Sequence, residues 1–266
     1  MRLKDRVAIV VGAGQSPGEG IGNGRATAIT FAREGARVLC VDHNLASAQE
    51  TADMIGAKGG TAIAFKADVT RTAELKAMAS DAVARWGRID ILHNNVGVSI
   101  AGGDAELLDI TEEALDRCVA VNLKSCIFAA KHVLPIMRQQ MSGAIINISS
   151  MAAITTYPYV AYKATKSAMI AFTEQLAYQN AQYGIRANVI LPGLMNTPMA
   201  VDTRAREFNK PRAQVEAERD SKVPLRHKMG TGWDVANAAL FLASDEANFV
   251  TGVTLPVDGG ASVNRG

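Results

Sequence analysis

The stretch that decides the fold is Gly12-Ala13-Gly14-Gln15-Ser16-Pro17-Gly18-Glu19-Gly20-Ile21-Gly22-Asn23-Gly24, a glycine-rich loop near the start of the chain. A β-branched run, Val7–Val11, precedes this loop, and a helical pattern over residues 25–34 follows it at once. Glycines at such a turn let the backbone approach a pyrophosphate closely, and the N-terminus of the following helix offers free N–H groups to the phosphate. Any tight strand–helix turn can use glycines, but the position between a strand and a helix is the one that a dinucleotide-binding fingerprint requires.

Asp42 ends the second predicted strand, 18 residues after Gly24. A carboxylate at this point of the fingerprint accepts hydrogen bonds from both ribose hydroxyls of an adenosine and repels a 2′-phosphate. The alternative is that Asp42 only caps the next helix or supports the turn. The fingerprint favours the first interpretation, so the sequence predicts NAD rather than NADP as the cofactor.

Short apolar runs alternate with longer helical patterns along the rest of the chain. The predicted strands cover residues 7–11, 38–41, 61–65, 89–93, 144–148, 185–191 and 253–257, and the predicted helices cover 25–34, 46–55, 72–86, 112–138, 159–183 and 233–242. Pro135 is expected to distort the last turns of the fourth helix. Strands this apolar are buried on both faces, and right-handed crossovers place helices on both sides of the sheet. We therefore expect a Rossmann-like, doubly wound parallel sheet in a three-layer α/β/α sandwich, with residues 1–266 in a single domain.

One segment, residues 194–222, interrupts this alternation after the sixth strand. It is rich in Arg, Lys and Glu, above all over residues 199–221. Ligands bind at the carboxyl edge of such a sheet, which favours a substrate lid over a solvated pair of surface helices. Arg204, Arg206 and Arg212 could bind an acidic substrate here, although a solvated charged face is the simpler interpretation.

Composition excludes several classes of function. The 266 residues are 48% hydrophobic and 20% charged, with 28 basic and 26 acidic side chains and a net charge of +2. This balance argues against disorder and against a nucleic-acid or membrane partner. Cys40, Cys118 and Cys126 have neither disulfide nor metal-ligand spacing, so we expect buried reduced thiols and no metal. With no signal-peptide pattern and no apolar run of membrane length, a cytoplasmic location is expected.

Tyr162 and Lys166 lie four residues apart in a predicted helix and therefore share a face. A free phenol, with a pKa of about 10, is a poor base at neutral pH, and a nearby ammonium lowers that pKa. The pair can then serve as a general base in alcohol oxidation and a general acid in ketone reduction. Ser149 and Ser150 end the fifth strand just upstream, where a hydroxyl can hydrogen-bond a substrate oxygen whose charge changes.

These residues together resemble the short-chain dehydrogenase/reductase family, and the resemblance covers nearly the whole chain. The family motifs occur in order as Asp68-Val69, Asn94-Asn95-Val96-Gly97, Val121-Asn122-Leu123, Tyr162-Lys163-Ala164-Thr165-Lys166, Pro192-Gly193-Leu194-Met195-Asn196-Thr197 and Val257-Asp258-Gly259-Gly260. Each motif alone is moderately specific, whereas their joint occurrence in this order is a specific signal.

The resemblance implies a role for each motif residue. Tyr162 would be the acid/base and Lys166 would lower its pKa and bind the nicotinamide ribose. Ser150 would position the substrate oxygen, and Asn122 would hold a water that links Lys166 to solvent or, as an alternative, satisfy the backbone of a kinked helix. The cofactor would be bound by Gly12, Gly14, Gly22, Asn23, Gly24, Asp42, Asp68, Val69, Asn95, Val96, Gly97, Tyr162, Lys166, Pro192, Gly193 and Thr197. Within this set, Asp68 would meet the adenine, Asn95 the ribose, and Thr197 the carboxamide or phosphate side. The family also implies a homotetramer.

Three features depart from the family pattern. The glycine loop has about six extra residues after Gly14 when the last two family glycines are aligned with Gly22 and Gly24. Val96 replaces the usual alanine, which is expected only to tighten packing. Ser150 precedes Tyr162 by 12 residues, one fewer than the family spacing, whereas Ser149 lies 13 away. The position directly after the strand favours Ser150, with Ser149 as the alternative.

The sequence thus predicts an enzyme that transfers hydride between NAD and a secondary alcohol or its ketone. One alternative is an NADPH-dependent ketoreductase of acyl thioesters, which Asp42 disfavours. The other is a non-catalytic NAD-binding regulatory protein, which would not need all four catalytic residues. The side chains that flank the site could line an apolar pocket or be ordinary core, and they are Met151, Tyr157, Tyr159, Met195 and Met199. His93 has no second ligand at metal spacing and is expected to be a packed side chain.

Overall fold

A seven-stranded parallel sheet is the middle layer of the computed structural model, which describes residues 1–263. In chain order the strands are β1 (Val7–Val11), β2 (Arg37–Asp42), β3 (Thr61–Lys66), β4 (Ile91–Asn94), β5 (Gly143–Ile148), β6 (Ile185–Pro192), the short β7 (Met195–Asn196) and β8 (Gly230–Thr231), and β9 (Thr254–Val257). The main sheet has the order β3-β2-β1-β4-β5-β6-β9, and β7 pairs with β8 in a separate two-stranded sheet. The winding direction reverses between β1 and β4, which is where ligands bind in doubly wound sheets.

Helices cover both faces of the sheet. They are α1 (Asn23–Arg33), α2 (Leu45–Gly56), α3 (Thr72–Trp86), α4 (Glu112–Val119), α5 (Ser125–Gln140), α6 (Val160–Asn180), α7 (Asp202–Glu207), α8 (Arg212–Asp220) and α9 (Gly232–Ala243). Side chains of α1, α2 and α9 fill one apolar core, and side chains of α3, α5 and α6 fill the other. The predicted three-layer α/β/α sandwich is therefore confirmed.

The central strand β1 explains why the strands read as continuous apolar runs. Ala8 and Val10 point into the core that contains Phe31 of α1, whereas Ile9 and Val11 point into the opposite core. Successive side chains of a strand alternate between its two faces, so a sheet covered on both sides needs an apolar residue at every position.

The helix predicted over residues 112–138 runs from Glu112 to Gln140 through α4, a π-helical turn and α5. It passes through Pro135 in α form, and the irregular turn is Ala120–Lys124 instead. Among the described residues this helix alone is long and apolar enough to cross a membrane, by length and composition. The core helix of a globular protein passes the same test, and Ala129 and Val133 pack in the core beside the sheet.

The 194–222 segment contains β7, α7 and α8, and its Val201 and Val215 form an apolar cluster with Val223 and Met229, which follow the segment. It leaves the sheet directly after β6, so it begins at the carboxyl edge of the strands. The segment forms a pair of short helices, which is compatible with a substrate lid and with a solvated surface pair. That this segment closes over a substrate stays a prediction.

Candidate active site

The glycine loop turns sharply at the end of β1. Gly12 has a φ of +82°, a conformation that favours glycine, and a Cβ atom placed on Gly24 would overlap the carbonyl oxygen of Gly12. In a dinucleotide-binding loop, the third glycine allows the start of the helix to pack this closely against the end of the strand. The geometry therefore supports the alignment of Gly22 and Gly24 with the last two family glycines.

The N-terminus of α1 is open to an anion. Its N-cap residue, Gly22, has no side chain to satisfy the first N–H groups, and the first turn contains no acidic residue. The side-chain oxygen of Asn23 is buried and has no hydrogen-bond partner within residues 1–263. Close-approach glycines followed by uncapped helix N–H groups fit the pyrophosphate of a dinucleotide. The residues present therefore fit a nicotinamide dinucleotide.

The extra residues of the glycine loop contact the 194–222 segment. The Glu19 N–H donates a hydrogen bond of 3.3 Å to the Asp202 carboxylate, and Arg206 donates one of 3.2 Å to the Pro17 carbonyl. Gly18 lies so close to Asp202 that a Cβ atom on Gly18 would overlap its carboxylate. The insertion therefore joins the expected phosphate loop to α7.

Asp42 lies at the end of β2, where its carboxylate supports the glycine loop. It accepts hydrogen bonds from the Gly14 N–H at 3.1 Å and from the Asn44 N–H at 3.0 Å. Asn44, and not Asp42, caps α2, because its side chain accepts from the Ser47 N–H at 3.3 Å. The turn-supporting interpretation of Asp42 is thus observed, and it is compatible with ribose binding because a carboxylate has about four lone-pair sites.

Asp68 and Val69 follow β3 at the same edge of the sheet. The Thr70 hydroxyl and N–H donate to Asp68 at 2.7 and 2.9 Å. These hydrogen bonds hold the pKa of the Asp68 carboxyl below its ordinary value, so this group stays ionised. Asp68 remains half exposed, as a residue that meets an adenine must be, while Val69 packs on the core.

The Asn95-Val96-Gly97 turn after β4 brings the glycine loop and α6 together. The Asn95 side chain donates to the Gly12 carbonyl at 3.2 Å, and the Lys166 Nζ donates to the Val96 carbonyl at 3.5 Å. A Cβ atom on Gly97 would lie 3.2 Å from the Lys166 Nζ, so a small residue is needed there. The Val96 side chain packs against Gly12, which agrees with the expected tighter packing.

The remaining motif residues lie at the ends of β6 and β9. Pro192 ends β6 and pairs with Val257, and the Gly193 N–H donates to the Val257 carbonyl at 2.9 Å. Thr197 is buried, and its hydroxyl accepts from the Ala200 N–H at 3.3 Å. These residues fix the start of the 194–222 segment at the carboxyl edge of the sheet.

Ser150 and Tyr162 lie beside each other at the candidate site. The Ser150 hydroxyl lowers the pKa of Tyr162, and its oxygen accepts a hydrogen bond from the Ala152 N–H at 3.1 Å. The Ser149 hydroxyl, in contrast, is buried and donates to the Lys166 carbonyl at 2.7 Å. This hydrogen bond attaches α6 to the end of β5. The structure therefore places Ser150, despite its shorter spacing, beside the phenol.

Burial dominates the acidity of this pair. It raises the pKa of Tyr162 to about 12, against a smaller lowering by the Ser150 hydroxyl, and it lowers the pKa of Lys166 to about 8. The Lys166 Nζ lies 5.8 Å from the centre of the Tyr162 ring and donates to the Ile148 carbonyl at 2.7 Å. The expected net lowering of the Tyr162 pKa is thus not found, because desolvation of the phenolate outweighs the ammonium at that distance.

Asn122 lies fully buried in the π-helical turn of the long helix. Its side-chain oxygen accepts from the Val98 N–H at 2.7 Å, and its amide nitrogen donates to the Val98 carbonyl at 2.9 Å and to Thr165 at 3.1 Å. The interpretation in which Asn122 satisfies backbone groups is therefore observed. The interpretation in which Asn122 holds a water stays a prediction. Local π-helical turns are frequent at functional sites.

Asp104 is a site residue that sequence reasoning missed. It is buried, and its carboxylate accepts from the N–H groups of Ala161 and Tyr162 at 2.8 and 3.0 Å. It also accepts from the Ser99 hydroxyl at 3.2 Å, which lies 3.0 Å from the Tyr157 hydroxyl. Asp104 thus caps the helix that carries Tyr162. A local capping pattern could not reveal it, because Asp104 precedes Ala161 by 57 residues.

The residues that flank the site divide into two groups. Met151 packs with Val189 and Leu191, and Met195 lies in the main core, so both are ordinary core residues. The Tyr157 ring lies 5.4 Å from the Tyr162 ring and 5.6 Å from the Tyr159 ring, centre to centre, and Met199 is half exposed. Tyr157 therefore forms a wall of the site.

His93 and the cysteines lie in the interior. His93 is fully buried in β4 with its ring edge-on to Phe31, and burial lowers its pKa to about 3. Cys40, Cys118 and Cys126 are buried free thiols. His93 is thus the packed side chain that was expected.

The fold and the site define a class, the oxidoreductases that use a nicotinamide cofactor. The chain belongs to the short-chain dehydrogenase/reductase family: a family model described as Enoyl-(Acyl carrier protein) reductase matches residues 17–262. It is 36% identical over 265 residues to Oxidoreductase UcpA of Salmonella typhimurium, covering 98% of this chain and 96% of the relative. It is 35% identical over 266 residues to the 3-oxoacyl-[acyl-carrier-protein] reductase FabG of Thermotoga maritima, covering 98% and 99%. A solved structure from Burkholderia xenovorans, described as a short-chain dehydrogenase/reductase, has 42% identity and a TM-score of 0.90, covering 100% of this chain and 99% of the other.

Proposed function

We propose that this protein is an NAD-dependent oxidoreductase that interconverts a secondary alcohol and its ketone. The observation that carries the proposal is that Ser150, which follows β5, lies beside Tyr162 of α6 at the carboxyl edge of the sheet. Lys166 lies one helical turn beyond Tyr162 and close to Gly97. The proton donor Tyr162, the substrate-binding hydroxyl of Ser150 and the glycine loop for the cofactor thus lie at the same edge of the sheet.

The chain's own residues supply proton transfer and positioning. A bound nicotinamide would accept or supply the hydride. The hydroxyls of Ser150 and Tyr162 would bind the substrate oxygen, and Tyr162 would protonate it in the direction of ketone reduction. Since the pKa of Tyr162 is about 12, this phenol is protonated at neutral pH and ready to act as the acid. In alcohol oxidation the same group must first lose its proton, which favours that direction at higher pH.

Asp42 supports the choice of NAD. Its carboxylate closes β2 beside Gly14, where it would meet an adenosine ribose and repel a 2′-phosphate. The second candidate, an NADPH-dependent reductase of 3-oxoacyl thioesters, is favoured by the 35% identity to the Thermotoga reductase. An Asp42→Ala variant separates the two: if the proposal holds, it loses NAD affinity and gains relative use of NADP.

The test of the proposal is turnover with and without the acid/base. Absorbance of the reduced cofactor is followed with NAD or NADP and a panel of cyclic, aromatic and carboxylated secondary alcohols, for wild type and Tyr162→Phe. Turnover with NAD that disappears in the variant supports the mechanism. Turnover with NADP alone contradicts the assignment of Asp42. Binding of NAD without turnover of any alcohol favours a non-catalytic, regulatory role.

We also propose a homotetramer. Partly exposed apolar side chains, Leu115, Val119 and Ile127, lie along the helix from Glu112 to Gln140, where a second copy would cover them. Light scattering after size exclusion is the measurement, and a monomeric mass would contradict this assembly.

A further inference from the structure

Two arginines of the 194–222 segment differ from the other basic side chains around them. Arg212 forms ion pairs with Asp202 at 3.3 Å and with Glu216 at 2.7 Å. Arg204, in contrast, donates to its own helix at the Ala200 carbonyl at 2.9 Å, and Arg219 donates to the sulfur of Met229 at 3.4 Å. Within residues 1–263, neither of these two guanidinium groups pairs with a carboxylate. Nearly all of their donor capacity is therefore free.

Arg204 lies in α7, the helix that contacts the glycine loop through Asp202 and Arg206. Its charge also lowers the pKa of Tyr157 and Tyr162, and Tyr157 in turn raises the pKa of Arg219. The rings of the two tyrosines lie 5.4 Å apart. The Tyr157 hydroxyl is hydrogen-bonded to Ser99 at 3.0 Å, which fixes its ring beside that of Tyr162.

Arg219 lies beside the helix that carries Arg204, because it contacts Met229, which packs in one cluster with Val201 and Ala205. Burial, and then the charge of Arg204, lower the pKa of Arg219 to about 10. Two partly buried like charges with free donors are unfavourable until an anion neutralises them. Carboxylate and phosphate groups match the planar fork of N–H donors that each guanidinium offers.

We infer that Arg204 and Arg219 bind an anionic group of the substrate, a carboxylate or a phosphate, while the reacting carbon lies against Ser150 and Tyr162. This inference rests on the proposed function and names its substrate class, a hydroxy acid or oxo acid, or the corresponding phosphate ester. Arg206 and Arg212, the other arginines considered from the sequence, are occupied by Pro17 and by carboxylates.

Binding to the cofactor-loaded protein tests this inference. Calorimetry measures the dissociation constants of levulinate, its uncharged methyl ester, dihydroxyacetone phosphate and dihydroxyacetone for protein saturated with NADH. Wild type should bind at least one anion roughly 10- to 100-fold more tightly than its neutral counterpart, the range expected for charged hydrogen bonds. The pair that shows the preference tells a carboxylate from a phosphate.

Matched variants identify the groups responsible. Arg204→Gln and Arg219→Gln should each abolish the preference, whereas Lys222→Gln, an exposed change two residues after the helix that carries Arg219, should keep it. Unchanged NADH affinity in all three shows that they fold. Equal binding of anions and neutral counterparts by wild type, or an equal loss in Lys222→Gln, overturns the inference.

Tyr162→Phe separates this inference from the proposed function. If this variant and wild type both prefer the anion but neither turns over any alcohol or ketone, the proposed function fails and the anion site stands. If wild type turns over neutral ketones without any preference for anions, the proposed function stands and the anion site fails.

Discussion

Asp104→Ala should weaken both the fold and the placement of Tyr162. The wild-type carboxylate caps α6 by accepting from the N–H groups of Ala161 and Tyr162 at 2.8 and 3.0 Å. Loss of an N-cap costs ~1 kcal/mol, and a buried hydrogen bond to a charged group contributes ~1.5–3 kcal/mol. These contributions overlap, because the cap consists of the same hydrogen bonds. We expect the free energy of unfolding to fall by about 2–4 kcal/mol.

Urea unfolding followed by circular dichroism measures this loss, at one protein concentration and with an unchanged m-value. Asp109→Ala is the matched control, because Asp109 is exposed in the same loop, and its effect should stay within ~0.5 kcal/mol. Asp104→Asn keeps one acceptor and turns an NH₂ group toward the other N–H, so its loss should be intermediate. If Asp104→Ala is no less stable than Asp109→Ala, Asp104 does not cap α6 in solution.

The same carboxylate also acts on the chemistry, which a purely structural role would not do. The negative charge of Asp104 raises the pKa of Tyr162. In Asp104→Asn the rise of alcohol oxidation with pH should therefore move to lower pH. A profile that keeps its midpoint, in a variant that is folded and active, contradicts this electrostatic coupling.

Three further predictions concern pH and packing. Because Tyr162 has a pKa of about 12, kcat should increase with pH for alcohol oxidation and stay level near neutrality for ketone reduction; rapid kinetics in both directions check this, and an oxidation rate that falls with pH contradicts it. His93 has a folded pKa of about 3, below the ~6.5 of an unfolded histidine, so the unfolded chain binds a proton that the folded chain does not and stability falls as pH drops below ~6.5. The loss is about 2 kcal/mol at a pH of ~5, and unfolding measured against pH should show a shallower slope in His93→Leu. Gly24→Ala should cost about 1–3 kcal/mol and weaken cofactor binding, because its Cβ atom would overlap the Gly12 carbonyl, whereas the open Gly56→Ala should leave both intact; thermal shift with and without NAD tests the pair.

Features that follow from local patterns could be predicted from the sequence. The strand β1 and the helix α3 have the predicted bounds, because continuous apolar runs and helical periodicity are decided by neighbouring residues. The glycine loop could also be placed, since its strand–turn–helix context is local. The π-helical turn at Asn122 could not, because it depends on hydrogen bonds to Val98 and Thr165 from other elements.

The acidity of the site was equally beyond the sequence. Spacing shows that Tyr162 and Lys166 share a helix face, but not that Lys166 donates to Ile148 or how deeply the phenol is buried. The sign of a pKa shift depends on the balance of desolvation and charge, and only three-dimensional burial fixes the first of these. Similarly, which arginine of a charged segment stays unpaired depends on how its two helices pack, since Arg212 of α8 pairs with Asp202 of α7.

The two departures of this chain from a simple doubly wound domain, the long glycine loop and the 194–222 segment, are parts of one structure. Asp202 accepts from the Glu19 N–H at 3.3 Å and lies 3.3 Å from Arg212, which in turn donates to the Asn196 side chain at 2.9 Å. The loop that would cradle a pyrophosphate is therefore tied through α7 to the arginines that we assign to the substrate. A loop of ordinary length would lack Pro17, Gly18 and Glu19 and could not reach Asp202. The insertion thus has a physical reason to occur together with a charged segment after β6, because each supplies the partners that the other needs.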